Sequence, residues 1–241
     1  MSRYQRSIAS DSGYPRWSRA VRMLIIACVV VFVFQTFEER SGSRALTLTF
    51  GLTPAQVIHN FYLWQLVTYI FLHDGIYHIL FNMLALWMFG SDVEYLWGAR
   101  KFTSFFFFCG IGAGLINVLV TPSATIPTIG ASGAIFGVLL AFGMLFPNRI
   151  IYWIIFPIRA KYLVAIMGVI ALYLSITANE NGIANAAHLG GMLFGLLYLK
   201  GGSIVPGFKW RYEKWQRQRL RKKFDVYYNE KQRKDNDRWR N

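Results

Sequence analysis

Two polar residues stand where polar residues are costly. Ser132 lies in the run Gly130-Ala131-Ser132-Gly133-Ala134-Ile135-Phe136-Gly137, and His188 lies in Ala187-His188-Leu189-Gly190-Gly191. Both runs are otherwise apolar or glycine-rich. A polar side chain at membrane depth costs free energy unless it is partnered, which makes such residues functional candidates. Serine with histidine is also the smallest set that performs nucleophilic catalysis at neutral pH, because the hydroxyl needs an adjacent base. Of the four histidines, His59 reads as a surface loop residue and His73 as a loop anchor. His188 falls near one end of its apolar run, at a depth that can match Ser132. Gly191 and Gly195 follow it at i+3 and i+7 and share its helix face. Gly133 and Gly137 give the Ser132 helix a similar face. Small residues let helix backbones approach closely, so the two faces predict a contact that joins Ser132 to His188.

His78 and Asn82 sit at i and i+4 on another apolar run. Both donate hydrogen bonds from one face. Either they hold helices together, as such residues often do, or they face the serine and stabilise the oxyanion of a tetrahedral intermediate. Other hydrolytic chemistries lack their residues. No His-Glu-xx-His is present for a zinc site, and no pair of carboxylates lies centrally in the apolar runs for an aspartyl site. No metal or other cofactor is expected. The two cysteines, Cys28 and Cys109, lie inside apolar runs and read as buried thiols.

The elements that must position these residues are membrane helices. The 241 residues are 54% hydrophobic and only 16% charged, where a soluble domain carries about a quarter charged residues. Six apolar runs near spanning length can be drawn, at 19–37, 76–96, 102–120, 132–146, 162–178 and 183–199. The expected fold is an all-α membrane protein, a bundle of six transmembrane helices with a long first external loop and a short fourth span. Residues 1–18 form a basic N-terminus, 19–200 the six-span domain and 201–241 a basic tail. The first run follows a basic, Arg- and Ser-rich segment, yet its exit lacks a small-residue cleavage site and the segment is short for a transit peptide, so a retained signal anchor is expected rather than a signal or transit peptide.

Net charge is +14, which invites a nucleic-acid reading. The basic residues, however, flank the apolar runs as membrane anchors do, and no nucleic-acid-binding motif is present. Counted on alternating sides, 24 Lys and Arg fall with the two termini and two, Arg40 and Arg44, fall opposite. Both termini are therefore expected in the cytoplasm, with the bacterial cell membrane as the expected setting. The tail interleaves eight basic residues from Lys209 to Lys223 with Phe208, Trp210, Trp215 and Phe224, a composition suited to anionic lipid head groups or to a solvated tail.

The first external loop, 38–75, is rich in apolar residues and carries Thr53-Pro54, an N-cap with proline at the first helical position. It reads as short helices in the membrane interface or as a soluble loop folded on the bundle. The fourth run spans about 22 Å at 1.5 Å per residue, short of a core of about 30 Å. With Pro147-Asn148-Arg149 at its cytoplasmic end, Ser132 is expected below the outer surface. Residues 121–130 must then descend as irregular backbone, tolerated only where protein or a water-filled cavity encloses it.

Taken together, Gly130-Ala131-Ser132-Gly133, Ala187-His188 with Gly191-xxx-Gly195, and His78-Ile79-Leu80-Phe81-Asn82 resemble the rhomboid intramembrane serine proteases, over about residues 20–200. The resemblance implies Ser132 as nucleophile and His188 as general base of a dyad. It implies an oxyanion hole from the Ser132 backbone N–H with His78 and Asn82. Gly130 and Gly133 would keep the backbone around the serine unobstructed, and Phe136 would pack under the histidine. The implied partners are single-span membrane proteins, cleaved near the external face. Gln65 follows Trp64 where the family often has arginine, so an anchor that depends on that charge is not expected. Glu94 matches a commonly acidic position and reads as structural, bonding the turn to the next span. Two other readings are an inactive relative acting as a binding or trafficking module, disfavoured because serine, histidine and oxyanion donors are all present, and a six-span transporter, disfavoured because no charged residue sits mid-span.

Overall fold

The computed structural model describes residues 17–153, 156–177 and 182–201. Residues 1–16 of the basic N-terminal segment and 202–241 of the tail, with the expectations placed on them, lie outside the described residues. Helices occupy all six apolar runs. They are α1 (Arg19–Arg40), then three short helices α2 (Ala45–Phe50), α3 (Pro54–His59) and α4 (Gln65–Thr68), then α5 (Gly75–Trp97), α6 (Ala99–Val120), α7 (Ser132–Leu145), α8 (Ala160–Thr177) and α9 (Gly182–Lys200). Among the described residues α1, α5, α6 and α8 are long and apolar enough to cross a membrane, and α7 is a shorter apolar helix. The chain is a multi-pass integral membrane protein built on helices.

One element departs from an all-helical reading. The 147–161 gap holds a two-stranded antiparallel hairpin, β1 (Ile150–Trp153) with β2 (Phe156–Arg159), in register from Ile150 opposite Arg159 to Trp153 opposite Phe156. Its β-branched and aromatic residues favour the extended state. Pro157 is accommodated because both strands of a two-stranded ribbon are edges.

Helix α7 is apolar on every side and buried on nearly every side. Gly133, Ala134, Gly137, Val138, Ala141 and Phe142 are all inaccessible or nearly so, as expected of a helix enclosed by others. At 14 residues it is about 21 Å long. Small residues bring α6 and α9 against it. A Cβ on Gly133 would meet Ala113 of α6 at 2.6 Å, and one on Gly137 would meet Cys109 of α6 at 2.5 Å and the Gly191 carbonyl of α9 at 2.9 Å. Cys109 and Cys28 are buried free thiols.

The 38–75 loop buries Leu52, Val57, Tyr69, Ile70 and Leu72 but also turns apolar side chains outward and polar ones inward. Leu48, Phe50, Ile58, Phe61, Leu63 and Trp64 are exposed, while Thr47, Thr53, Gln65 and His73 are buried. The inward polar groups are bonded. Gln65 accepts from the Thr53 N–H at 3.0 Å and donates to the Thr49 carbonyl at 3.2 Å and to Gln56 Oε1 at 2.8 Å. A neutral side chain thus anchors the loop at the position where the family often has arginine. The irregular segment before α7 is satisfied by the same loop. Leu52 and Thr128 exchange both backbone hydrogen bonds, at 2.9 and 2.8 Å, and Asn117 of α6 donates to Thr128 Oγ1 at 2.9 Å.

Glu94, buried in α5, does not bond toward α6 as expected. Its carboxylate accepts the Ala20 and Val21 N–H groups at 2.9 and 2.8 Å and the Ser18 hydroxyl, all at the start of α1. The physical reason is the partial positive charge of a helix N-terminus, where free N–H groups attract a carboxylate.

Candidate active site

Ser132 opens α7, and His188 lies in the first third of α9. Ser132 Oγ and His188 Nε2 are 2.7 Å apart, in hydrogen-bond contact across 56 residues of sequence. Helix packing sets this distance. A Cβ on Gly191 would overlap the Gly133 carbonyl, and one on Gly195 would come within 3.2 Å of Gly137 Cα. With glycine at those positions the α7 and α9 backbones touch, and the serine and the histidine one turn away meet.

The His188 ring lies flat on Phe136, with centroids 4.3 Å apart and planes 2° from parallel. Phe136 is one turn after Ser132 on α7, so the helix that carries the serine also carries the platform for its partner. Among the described residues no carboxylate bonds the His188 ring, and the stack on Phe136 together with the bond to Ser132 orients the imidazole here.

His78 enters from α5. The Asp74 N–H donates to His78 Nδ1 at 3.1 Å. An accepting Nδ1 is unprotonated, so the neutral ring carries its hydrogen on Nε2. That Nε2 faces Gly130, whose absent Cβ would sit 2.8 Å from it and 3.8 Å from Ser132 Oγ. Gly130 has φ +126°, a conformation that side chains avoid. Its backbone is held by an N–H donated to the Tyr69 carbonyl at 2.9 Å. Asn82 lies one turn beyond His78 and is buried. Its amide donates to the His78 carbonyl at 3.0 Å. That bond uses one of its two amide hydrogens. His59 stands at the end of α3, away from these contacts.

Two supporting residues, Gln35 and Tyr69, are not singled out by the sequence reading. Gln35 of α1 accepts the His73 N–H at 3.0 Å and donates to Thr47 Oγ1 at 3.2 Å. His73 is buried and edge-on to His78, with centroids 5.2 Å apart. Burial pushes the His73 imidazole down to about 4, so the ring is neutral at physiological pH. Tyr69 donates its hydroxyl to the Gly110 carbonyl at 2.7 Å, which ties the loop to α6 beside Gly133. Gln35 does carry a signal, since a polar residue inside an apolar run is the feature that marks Ser132.

A serine bonded to a histidine inside a bundle of membrane helices defines a class of protein able to perform nucleophilic chemistry at membrane depth. The model of the rhomboid domain matches residues 60–203, more than half of the chain, and the chain belongs to the rhomboid family. It is similar to RHOMBOID-like protein 1 of Arabidopsis thaliana, 32% identical over 170 residues, which cover 69% of this chain and 42% of that protein. Rhomboid protein 1, mitochondrial, of Saccharomyces cerevisiae is 37% identical over 133 residues, covering 53% of this chain and 38% of the relative. Rhomboid protease GluP of Bacillus subtilis is 29% identical over 177 residues, covering 72% and 32%. The chain therefore spans less than half the length of each of these relatives.

Proposed function

We propose that the chain is an intramembrane serine endopeptidase that cleaves single-span membrane proteins near the external face of the membrane. The observation that carries this reading is the 2.7 Å contact between Ser132 Oγ and His188 Nε2. In the proposed mechanism His188 accepts the hydroxyl proton as Ser132 attacks the scissile carbonyl. The oxyanion is met by the Ser132 N–H, the Nε2–H of His78 and the free amide hydrogen of Asn82. His188 then returns the proton to the leaving amine, and water hydrolyses the acyl-enzyme by the reverse roles. The substrate helix must unwind before attack, because an intact helix hides its carbonyls in internal hydrogen bonds.

This reading includes six spans at residues 19–200 with both termini in the cytoplasm of a bacterial cell. It is supported by the 24-to-2 distribution of Lys and Arg. The first loop lies in the external interface, as its exposed Phe61, Leu63 and Trp64 favour. The tail from residue 201 binds anionic lipid. The test is cleavage of candidate single-span proteins by wild type and Ser132→Ala, with a fluorophosphonate probe on the purified protein. Cleavage and labelling that both vanish in Ser132→Ala are expected. A wild-type protein that neither cleaves nor labels would favour an inactive binding module.

A further inference from the structure

Of α1, α5, α6 and α8, helix α8 is the least embedded in the bundle. Between α8 and the pair α7 and α9 runs an apolar cleft of about 590 Å³. Gly143 and Met144 of α7, Ala165 and Gly168 of α8, and Met192 of α9 form its walls. The charged residue lining it is Lys161, at the hairpin end. The Lys161 ammonium rests 4.8 Å from the centre of the Tyr162 ring and has no carboxylate partner among the described residues. Arg159 precedes it by two positions.

The cleft reaches from Lys161 to Leu172, about 16 Å of helical rise. That is close to half of a hydrocarbon core of about 30 Å, the depth of one leaflet. A transmembrane helix would need a groove through both leaflets and would bring no group for Lys161. A lipid of one leaflet fits both the length and the cation. A zwitterionic head group brings a compensating cation, and no acidic side chain lines the cleft to receive it. We propose that this cleft is a binding site for one anionic phospholipid of the leaflet on the hairpin side, with its phosphate on Lys161 and an acyl chain along Ala165 and Gly168. The site is separate from Ser132 and His188 and does not depend on their activity.

The experiment uses the full chain, purified in detergent and delipidated. Phosphatidylglycerol and phosphatidylcholine are titrated in, and bound lipid is counted by native mass spectrometry. With the basic residues of 209–223 neutralised to remove lipid held by the tail, one phosphatidylglycerol per chain should be retained in preference to phosphatidylcholine. Lys161→Gln should cut that preference about fivefold, the contribution of one basic residue near anionic lipid. Ala165→Phe fills the cleft and should remove retention of both lipids while the thermal transition persists. Equal retention of the two lipids overturns the proposal. So does a preference that survives Lys161→Gln but is lost when the basic residues of 209–223 are neutralised, since the tail is then the site. A disulfide-linked dimer formed through Ala165→Cys would show a second copy in the cleft and also overturn it.

Discussion

Phe136 and His188 are parallel to within 2° at 4.3 Å, so the face of the histidine ring is held by Phe136 while its Nε2 edge meets Ser132 Oγ at 2.7 Å. Aromatic stacks of this kind are worth about 0.5–1.5 kcal/mol beyond area burial. Phe136→Ala should therefore leave His188 free to leave the serine. The expected result is a fall in kcat with little change in KM, with Phe136→Tyr close to wild type. Unchanged kcat in Phe136→Ala would show that the backbone alone orients the ring.

The proposed oxyanion donors differ in how they are held. His78 is fixed by the Asp74 N–H at 3.1 Å, and Asn82 by its own bond to the His78 carbonyl at 3.0 Å. Asn82→Ala should lower kcat by about 10²–10³, the usual cost of one oxyanion donor, and Ser132→Ala should abolish turnover. A silent Asn82→Ala beside a dead Ser132→Ala would retain the dyad and remove Asn82 from the hole.

Gly191→Ala should separate α7 from α9, because its Cβ would overlap the Gly133 carbonyl. Overpacking of this kind costs about 1–3 kcal/mol, and here it would also part Ser132 from His188. Activity should fall further than thermal stability. Gly195→Ala, with Gly137 Cα at 3.2 Å from the new methyl, should be milder in both measurements. The reverse order would contradict the contact assigned to these glycines.

Gln65→Leu should loosen the first loop. It strands the buried Thr53 N–H, now bonded at 3.0 Å, at about 1–3 kcal/mol. Gln65→Arg should not restore the loop, since a guanidinium has no acceptor for that N–H. Hydrogen exchange over residues 45–60 should speed up in both variants. Protection equal to wild type in Gln65→Arg would mean that another acceptor serves Thr53.

Glu94→Gln should destabilise the start of α1. The carboxylate accepts two N–H groups, at 2.9 and 2.8 Å, together with the Ser18 hydroxyl. A glutamine turns an NH2 toward one of these donors, which costs about 1–3 kcal/mol. Thermal unfolding and exchange at residues 19–24 would register the loss; no change in either would place the α1 N-terminus under other control.

Much of this architecture is local and therefore legible in the amino-acid sequence. Apolar runs of spanning length mark helices because a backbone in hydrocarbon must satisfy its hydrogen bonds within the segment, and helices are found at all six runs. Glycine spacing on α7 and α9 likewise follows from helical period alone. The 150–159 hairpin is less visible, since a few β-branched residues between two apolar helices carry no period of their own. Gln65 and Glu94 show what sequence could not determine. Each is a polar residue at an identifiable position, but its partners lie 9 to 16 residues away for Gln65 and 73 to 76 for Glu94. The sequence determined that Ser132 and His188 were present at comparable depth on faces able to touch. Only the tertiary structure decided that they meet at 2.7 Å, that Phe136 lies flat against the ring and that His78 presents Nε2. Those distances depend on which helix packs against which, and long-range packing leaves no periodic trace in one chain's sequence.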